Sequence, residues 1–379
     1  MPNVSIRSEL YIFVSNKIKR MTNFYALEIK EVRRETEDCV SLLFDVPSDL
    51  QTKFKFVQGQ YITLRAEING EDLRRSYSIC SSPYSGELRV AVKKIPGGKF
   101  STYVNQSFRV GNLIQVMPPL GSFYTPLLAD QHKNYAAFAA GSGITPIMSI
   151  IRATLMLEKS SVFHLFYGNK SFQTIIFKSD LEELQEIYGD RLNVHHILSR
   201  EDSIDPLFKG RITSEKCKSY NGSLFDVNTL NEVFLCGPEK MIFHLKDSLI
   251  ELGLSETDIH FELFTSSKSL EERSSESDDK SSSESIISKV EVLVDGECFE
   301  FDLSPNGETI LDAAMAVDAD VPFACKGGVC CACKAKVMEG TVYMDVNYGL
   351  DEDEVNEGYI LTCQAHPTSD KIIVDFDEF

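Results

Sequence analysis

Residues 325–333 read Cys325-Lys-Gly-Gly-Val-Cys330-Cys-Ala-Cys333, and a further cysteine stands at Cys363. Cys325, Cys330 and Cys333 are spaced C-x4-C-x2-C, and Cys363 follows after a long gap. Four thiolates at that spacing hold a [2Fe–2S] cluster. Gly327 and Gly328 are expected to let the loop take φ > 0 and bring backbone N–H groups to the sulfurs. Cys331 falls outside the spacing and reads as a spare thiol turned away from the metal. The alternatives are a structural zinc site or four buried free cysteines. Zinc frameworks usually show two close C-x2-C pairs, and here Cys330 and Cys333 make the only one.

Around this loop, residues 289–379 form one expected domain. Val290–Val294 and Phe299–Leu303 alternate like a hairpin, Thr309–Ala316 has helical periodicity, and Lys334–Val337 and Ile372–Phe376 close it as strands. The segment carries twenty carboxylates against five basic residues, densest at Asp351-Glu-Asp-Glu354. Such a run is either simply solvated or steers a basic redox partner, which would show as an on-rate falling with salt. Residues 266–288, dominated by Ser, Glu, Asp and Lys, hold too little apolar surface to order themselves. They are expected to be a flexible linker with a root-mean-square span of roughly 25 Å.

Further upstream, residues 128–265 alternate strands with helices. Strands are expected at Tyr135–Ala139, Val162–Tyr167, Leu192–Leu198 and Glu232–Cys236, and helices at Ile147–Leu157, Ser179–Tyr188 and Glu239–Leu252. That order predicts a parallel α/β sheet. Residues 22–127 instead read as six short strands: Ala26–Val32, Cys39–Phe44, Tyr61–Ala66, Arg75–Cys80, Glu87–Val92 and Leu113–Met117. Turn signals at Asn69-Gly70, Ser85-Gly86 and Pro96-Gly97-Gly98 separate them, and a small antiparallel barrel is expected. Residues 1–21 read as an N-terminal extension.

Composition narrows the class. A chain of 379 residues is too long for one ordinary core, and 43% hydrophobic with 25% charged residues is the balance of a globular protein. The formal charge of −19 argues against nucleic acid or an anionic membrane as partner. No run approaches a membrane span, and Lys17, Lys19 and Arg20 follow the short apolar piece Leu10–Val14, the wrong order for a signal peptide. Ten cysteines, four of them candidate ligands, do not make a secreted disulfide scaffold, so a reducing cytoplasm is expected; the chain is also expected to be a monomer.

Arg75-x-Tyr77-Ser78 lies on a predicted barrel strand, and Gly98-Lys-Phe-Ser101-Thr102 follows at a loop-to-helix junction. An arginine fork can pair with a pyrophosphate, and a helix start offers free N–H groups to phosphate. Gly141-x-Gly143-x-Thr145-Pro146 then opens a helix after a strand, and Cys236-Gly237-Pro238 ends another strand. In that order these motifs resemble the ferredoxin–NADP reductase superfamily, here joined to a C-terminal plant-type ferredoxin. Tyr343-Met-Asp-Val-Asn-Tyr348 and Leu361-Thr-Cys-Gln-Ala-His-Pro367 look like phrases from reductase components of di-iron oxygenases that act on a CoA thioester.

The resemblance implies an antiparallel β-barrel flavin domain, an α/β nicotinamide domain and a C-terminal α+β ferredoxin domain of β-grasp type. It implies that Arg75 holds the FAD pyrophosphate, Tyr77 lies on the isoalloxazine and Ser78 sits near its reactive nitrogen. Gly98, Ser101 and Thr102 would complete the phosphate site, with Lys93 touching the flavin through its backbone. Gly141, Gly143 and Thr145 would admit a nicotinamide pyrophosphate, and Cys236, with Gly237 and Pro238, would face the nicotinamide where hydride passes. Ser199 and Arg200 would bind a ribose phosphate, favouring NADPH over NADH. Glu262 and Phe264 would lie near the flavin. His195 and His196 read as structural, and Cys39, Cys80, Cys217 and Cys298 show no ligand spacing.

A nicotinamide gives two electrons at once and an iron–sulfur centre takes one, so a flavin is expected between them. The implied route is NADPH to FAD to [2Fe–2S] to an oxygenase or other redox-acceptor protein. One rival is an NAD(P)H reductase for another hydroxylase or a hybrid-cluster protein. A rival of another class is a redox-sensing protein whose flavin and cluster only report nicotinamide status.

Overall fold

Residues 24–201, 205–264 and 287–378 are described by the computed structural model. The expected N-terminal extension and residues 266–286 of the expected linker lie outside the described residues.

The first sheet is antiparallel, from β1 (Tyr25–Thr36), β2 (Cys39–Asp45), β3 (Tyr61–Ile68), β4 (Glu71–Ser78), β5 (Leu88–Lys93) and β6 (Leu113–Leu120). Its order is β4-β3-β6-β1-β2-β5. The end of β4 returns to β5 through an Ile79–Val90 bridge and a Cys80 N–H to Arg89 carbonyl bond of 2.8 Å, which closes the barrel. Asn69 (φ 55°) and Gly70 (φ 79°) make the two-residue hairpin between β3 and β4, as their residue types require. Helix α1 (Lys99–Ser107) plugs one side with Phe100 and Val104, buried among Leu42, Ile62 and Val90.

The second sheet, β7 (Asn134–Ala140), β8 (Val162–Asn169), β9 (Leu192–Leu198), β10 (Glu232–Gly237) and β11 (Ile259–Leu263), is parallel throughout, in the order β11-β10-β7-β8-β9. Its strands are covered on both faces, which explains their unbroken apolar runs. α2 (Ile144–Leu157) and α3 (Lys178–Tyr188) pack with Tyr135, Ala137 and Leu165; α4 (Ser214–Tyr220) and α5 (Glu239–Glu251) pack with Ala136, Phe138 and Phe166. The chain runs outward from β7 to β9, then crosses back to β10 on the other side of β7. Strand order therefore reverses between β7 and β10, where open α/β sheets bind ligands beyond the strand ends. α4 and β11 were not legible in the sequence. In α4 only Cys217 and Tyr220 are buried, and β11 is a five-residue edge strand.

The last sheet has the order β13-β12-β18-β14-β16, built from β12 (Ser288–Val294), β13 (Glu297–Leu303), β14 (Lys334–Glu339), β16 (Tyr359–Leu361) and β18 (Lys371–Asp375). β12 and β18 pair in parallel, and α6 (Ile310–Ala316) packs on them. A small β15 (Val342–Met344) and β17 (Ala365–Pro367) pair stands apart. The acidic run is partly structural: Asp351 and Glu354 form the capping box of α7 (Glu352–Asn356), and Glu354 pairs with Lys334 at 3.0 Å.

Candidate functional site

A cavity of about 700 Å³ opens where β7 and β10 end. Of the residues singled out in the sequence, Gly141, Gly143, Ser199, Arg200, Gly237, Pro238, Lys93 and Phe264 line it. Gly143 needs to be glycine for space: a Cβ there would lie 2.1 Å from the Cys236 carbonyl oxygen. A Cβ on Gly237 would meet Met241 at 2.6 Å and Ala140 at 3.1 Å. The two strand ends are thus drawn together as a backbone cradle, and no side chain caps the helix start at Gly143 or Pro238. Thr145 is buried and donates to the Ser142 carbonyl at 3.0 Å, so it braces the turn from behind. The wall also carries Lys170, Arg211 and Lys240, cations that sequence reading missed because no local motif marks them.

Ser78 ends β4 and donates to Glu262 at 3.0 Å, joining the barrel to the second sheet. Glu262 pairs in register with Cys236 across β10 and β11. Burial outweighs the Ser78 hydrogen bond and pushes the Glu262 carboxyl up to about 8, so it holds its proton at neutral pH. Burial also keeps the Cys236 thiol protonated. Cys236 is fully buried and does not line the cavity; its neighbours do.

On the same strand Arg75 is exposed, and Tyr77 packs at 6.0 Å against Phe100 of α1. β4 is thereby set beside the uncapped start of α1 at Gly98. Gly98 and Thr102 line a shallow pocket of about 490 Å³, whereas Ser101 turns inward to accept the Ile95 N–H at 3.3 Å. His195 stacks at 4.9 Å on Phe166 and 5.8 Å on Phe208, and burial with His164 and His196 lowers it to about 4. It is a neutral core ring, as expected.

The four spaced cysteines come together. Cys330 donates to Cys325 at 3.0 Å, and Cys363 touches both Cys325 and Cys333. Hydrogen bonds from Cys330 and Cys363, with the Gly327 and Val329 amides, hold the Cys325 thiol far below its ordinary range. Among the described residues no group of three or more His, Cys, Asp or Glu closes around a single metal ion; the sulfurs meet in pairs, Cys330 with Cys325, Cys325 with Cys363 and Cys363 with Cys333. Gly327 N–H donates to Cys325 Sγ at 3.2 Å. The left-handed residues are Lys326 (φ 51°) and Gly328 (φ 70°), not the Gly327–Gly328 pair. Gly327 supplies its N–H without positive φ, while a Cβ on Gly328 would meet the Val346 carbonyl at 2.8 Å. Cys331 points away, donating to the Gly349 carbonyl at 2.8 Å. The loop faces the barrel: Cys331 N–H donates to the Tyr61 hydroxyl at 2.9 Å, and Tyr61 pairs with Ser78 across β3 and β4.

Comparison with known proteins matches an oxidoreductase FAD-binding domain to residues 26–124, an oxidoreductase NAD-binding domain to 138–247 and a 2Fe-2S iron-sulfur cluster binding domain to 292–368. One of the subunits of 1,2-phenylacetyl-CoA epoxidase from Escherichia coli (strain K12) is 43% identical over 94% of this chain and 99% of its own length. The ferredoxin reductase component of 3-ketosteroid-9-alpha-monooxygenase from Rhodococcus rhodochrous is 32% identical over 92% and 96%. The structure of phthalate dioxygenase reductase is alike in fold, with a TM-score of 0.54 at 22% identity, covering 93% of this chain and 98% of that one.

Proposed function

Because this chain belongs to the ferredoxin–NADP reductase family with a C-terminal 2Fe-2S domain, we propose that its electrons go to a di-iron oxygenase acting on phenylacetyl-CoA, in phenylacetate breakdown. As an NAD(P)H oxidoreductase of that family it carries electrons from nicotinamide to FAD, to [2Fe–2S] and on to an oxygenase component. The observation that carries the reading is continuity: Ser78 reaches Glu262 on one side, and its strand partner Tyr61 reaches the cluster loop on the other.

FAD, when bound, accepts a hydride and releases its electrons singly. Arg75 would pair with its pyrophosphate, Tyr77 would cover the ring, and the free N–H groups after Gly98 would complete the phosphate site with Ser101 and Thr102 bracing it. The close approach of Gly143 to Cys236 and Gly237 would hold a nicotinamide pyrophosphate against backbone N–H groups. Protonated Glu262, held by Ser78, keeps the wall beside Cys236 neutral. Cys325, Cys330, Cys333 and Cys363 would hold the cluster, and the Gly327 amide would stabilise its charge. Arg200 beside Ser199, with Lys170, Arg211 and Lys240 in the same wall, favours a ribose phosphate, and hence NADPH over NADH. The charge of −19 supports a protein without nucleic-acid or anionic-membrane partners, and the cysteine usage supports a reducing cytoplasm; the chain is proposed to act as a monomer. Among the described residues no helix is long and apolar enough to cross a membrane.

The test is reconstitution. With NADPH and a phenylacetyl-CoA epoxidase oxygenase, the chain should sustain oxygenation coupled to NADPH use. Turnover with an artificial acceptor but none with that oxygenase would move the assignment to another hydroxylase, and a single slow reduction would favour the sensor. Arg200→Ala should raise KM for NADPH about tenfold, the worth of one charged hydrogen bond, and leave KM for NADH nearly unchanged. Equal effects on both would discard the phosphate assignment.

A further inference from the structure

Arg74 precedes Arg75 on β4, so its side chain points to the opposite face, where it is 4% exposed. There it grips the segment leading into Cys325. One terminal nitrogen donates to the Val321 carbonyl at 3.4 Å, the other lies 3.5 Å from Asp320, and the guanidinium carbon sits 4.4 Å from the centre of the Phe323 ring. On its own side Asp72 accepts from Nε at 3.2 Å and from the second terminal nitrogen at 3.1 Å. Asp72 is already met at 2.9 Å by Arg65, which stays about a third exposed. Pairing with Asp72 alone would therefore not require burying a second arginine. Burying a guanidinium is costly unless several partners satisfy it; Asp72 and the Phe24 ring at 5.3 Å supply part of that set, and the cluster-bearing segment supplies the carbonyl, a second carboxylate and the nearer ring. A planar fork can serve a carbonyl, a carboxylate and a ring together, which an ammonium cannot. The grip is reinforced by the Tyr61 hydroxyl on the Cys331 amide and by Tyr61 and Leu120 packed with Ala324, Cys330 and Ala332.

We propose that Arg74 is a positioning residue that holds the cluster loop in register with the flavin-side strands, setting the rate at which electrons pass between them. The inference rests on the flavin-to-cluster route proposed above. It concerns a step that hydride transfer does not share.

The test uses the full-length holoprotein, mixed anaerobically with NADPH, in Arg74→Met and Arg74→Lys forms. FAD content, the rate of flavin reduction and ferricyanide reduction should match the unsubstituted protein, while cluster reduction slows about tenfold or more in Arg74→Met and less in Arg74→Lys. Hydrogen exchange at the Cys331 amide, a readout independent of turnover, should quicken in Arg74→Met while the β12 and β18 amides keep their protection. The effects of Phe323→Leu and Arg74→Met should be less than additive, since both remove the Arg74–Phe323 contact, although Phe323 also carries Lys326 at 4.8 Å. If Arg74→Met fails to fold, Asp320→Asn on the exposed side should still slow the cluster selectively. Cluster reduction at the unsubstituted rate would overturn the proposal, as would lost FAD with slowed flavin reduction, which would place Arg74 in the flavin site. A cluster that NADPH never reduces in the unsubstituted protein, despite a reduced flavin, would sink the route itself.

Discussion

Replacing Gly143 with alanine tests the cradle where β7 and β10 end. The added Cβ would lie 2.1 Å from the Cys236 carbonyl oxygen, 2.6 Å from its carbon and 3.0 Å from the Gly237 nitrogen. All three atoms are backbone, so no side chain can swing aside. Gly143 has φ −61°, which alanine adopts freely, so the effect isolates space from conformational strain. Relief requires the strand ends to part by about 1 Å, at an overpacking cost of about 1–3 kcal/mol. A 1 Å misplacement of bound partners costs about 100-fold in rate. In anaerobic rapid mixing, Gly143→Ala should keep its FAD and cluster and be reduced normally by dithionite, while flavin reduction by NADPH falls by about that factor. Unchanged reduction by NADPH in a folded Gly143→Ala protein would refute the cradle.

Glu262 supplies a pH prediction. Its carboxyl rises from the ordinary 4.5 to about 8, so the folded state keeps a proton that the unfolded chain releases. The associated stability is full below about pH 4.5 and is lost as pH rises through about 8. Thermal unfolding should therefore fall more steeply toward alkaline pH than in Glu262→Gln, and parallel profiles would count against a protonated carboxyl. Cys363→Ser should abolish the cluster while retaining FAD and ferricyanide reduction, whereas Cys331→Ser should keep about two irons per chain. Iron analysis decides, and loss of iron in Cys331→Ser would reassign the ligands.

What the sequence disclosed was local. The cysteine spacing, the Asn69-Gly70 hairpin and the glycines after Ala140 carry their meaning within a few residues, so the three sheets, the convergence of the four cysteines and the glycine lining of the cavity could be anticipated from them. Contacts spanning the chain were invisible. Arg74 meets Val321 across 247 positions, Tyr61 meets Cys331 across 270, and Ser78 meets Glu262 across 184. Lys170, Arg211 and Lys240 converge only when the strand ends fold into one wall. The positive φ of Lys326 escaped notice because glycine was the expected bearer of that conformation. The Asp351–Glu354 run looked like mere charge, though S/T/D-x-x-E spacing is a helix-start signal that could have been recognised.

The proposed function requires electrons to enter at nicotinamide, pass through the flavin and leave at the four sulfurs. The decisive experiment mixes NADPH anaerobically with holoprotein and with FAD-stripped protein, following cluster reduction by electron paramagnetic resonance. A reduced-cluster signal should trail flavin bleaching in the holoprotein and be absent from the stripped protein. A cluster reduced equally fast without FAD would contradict that route.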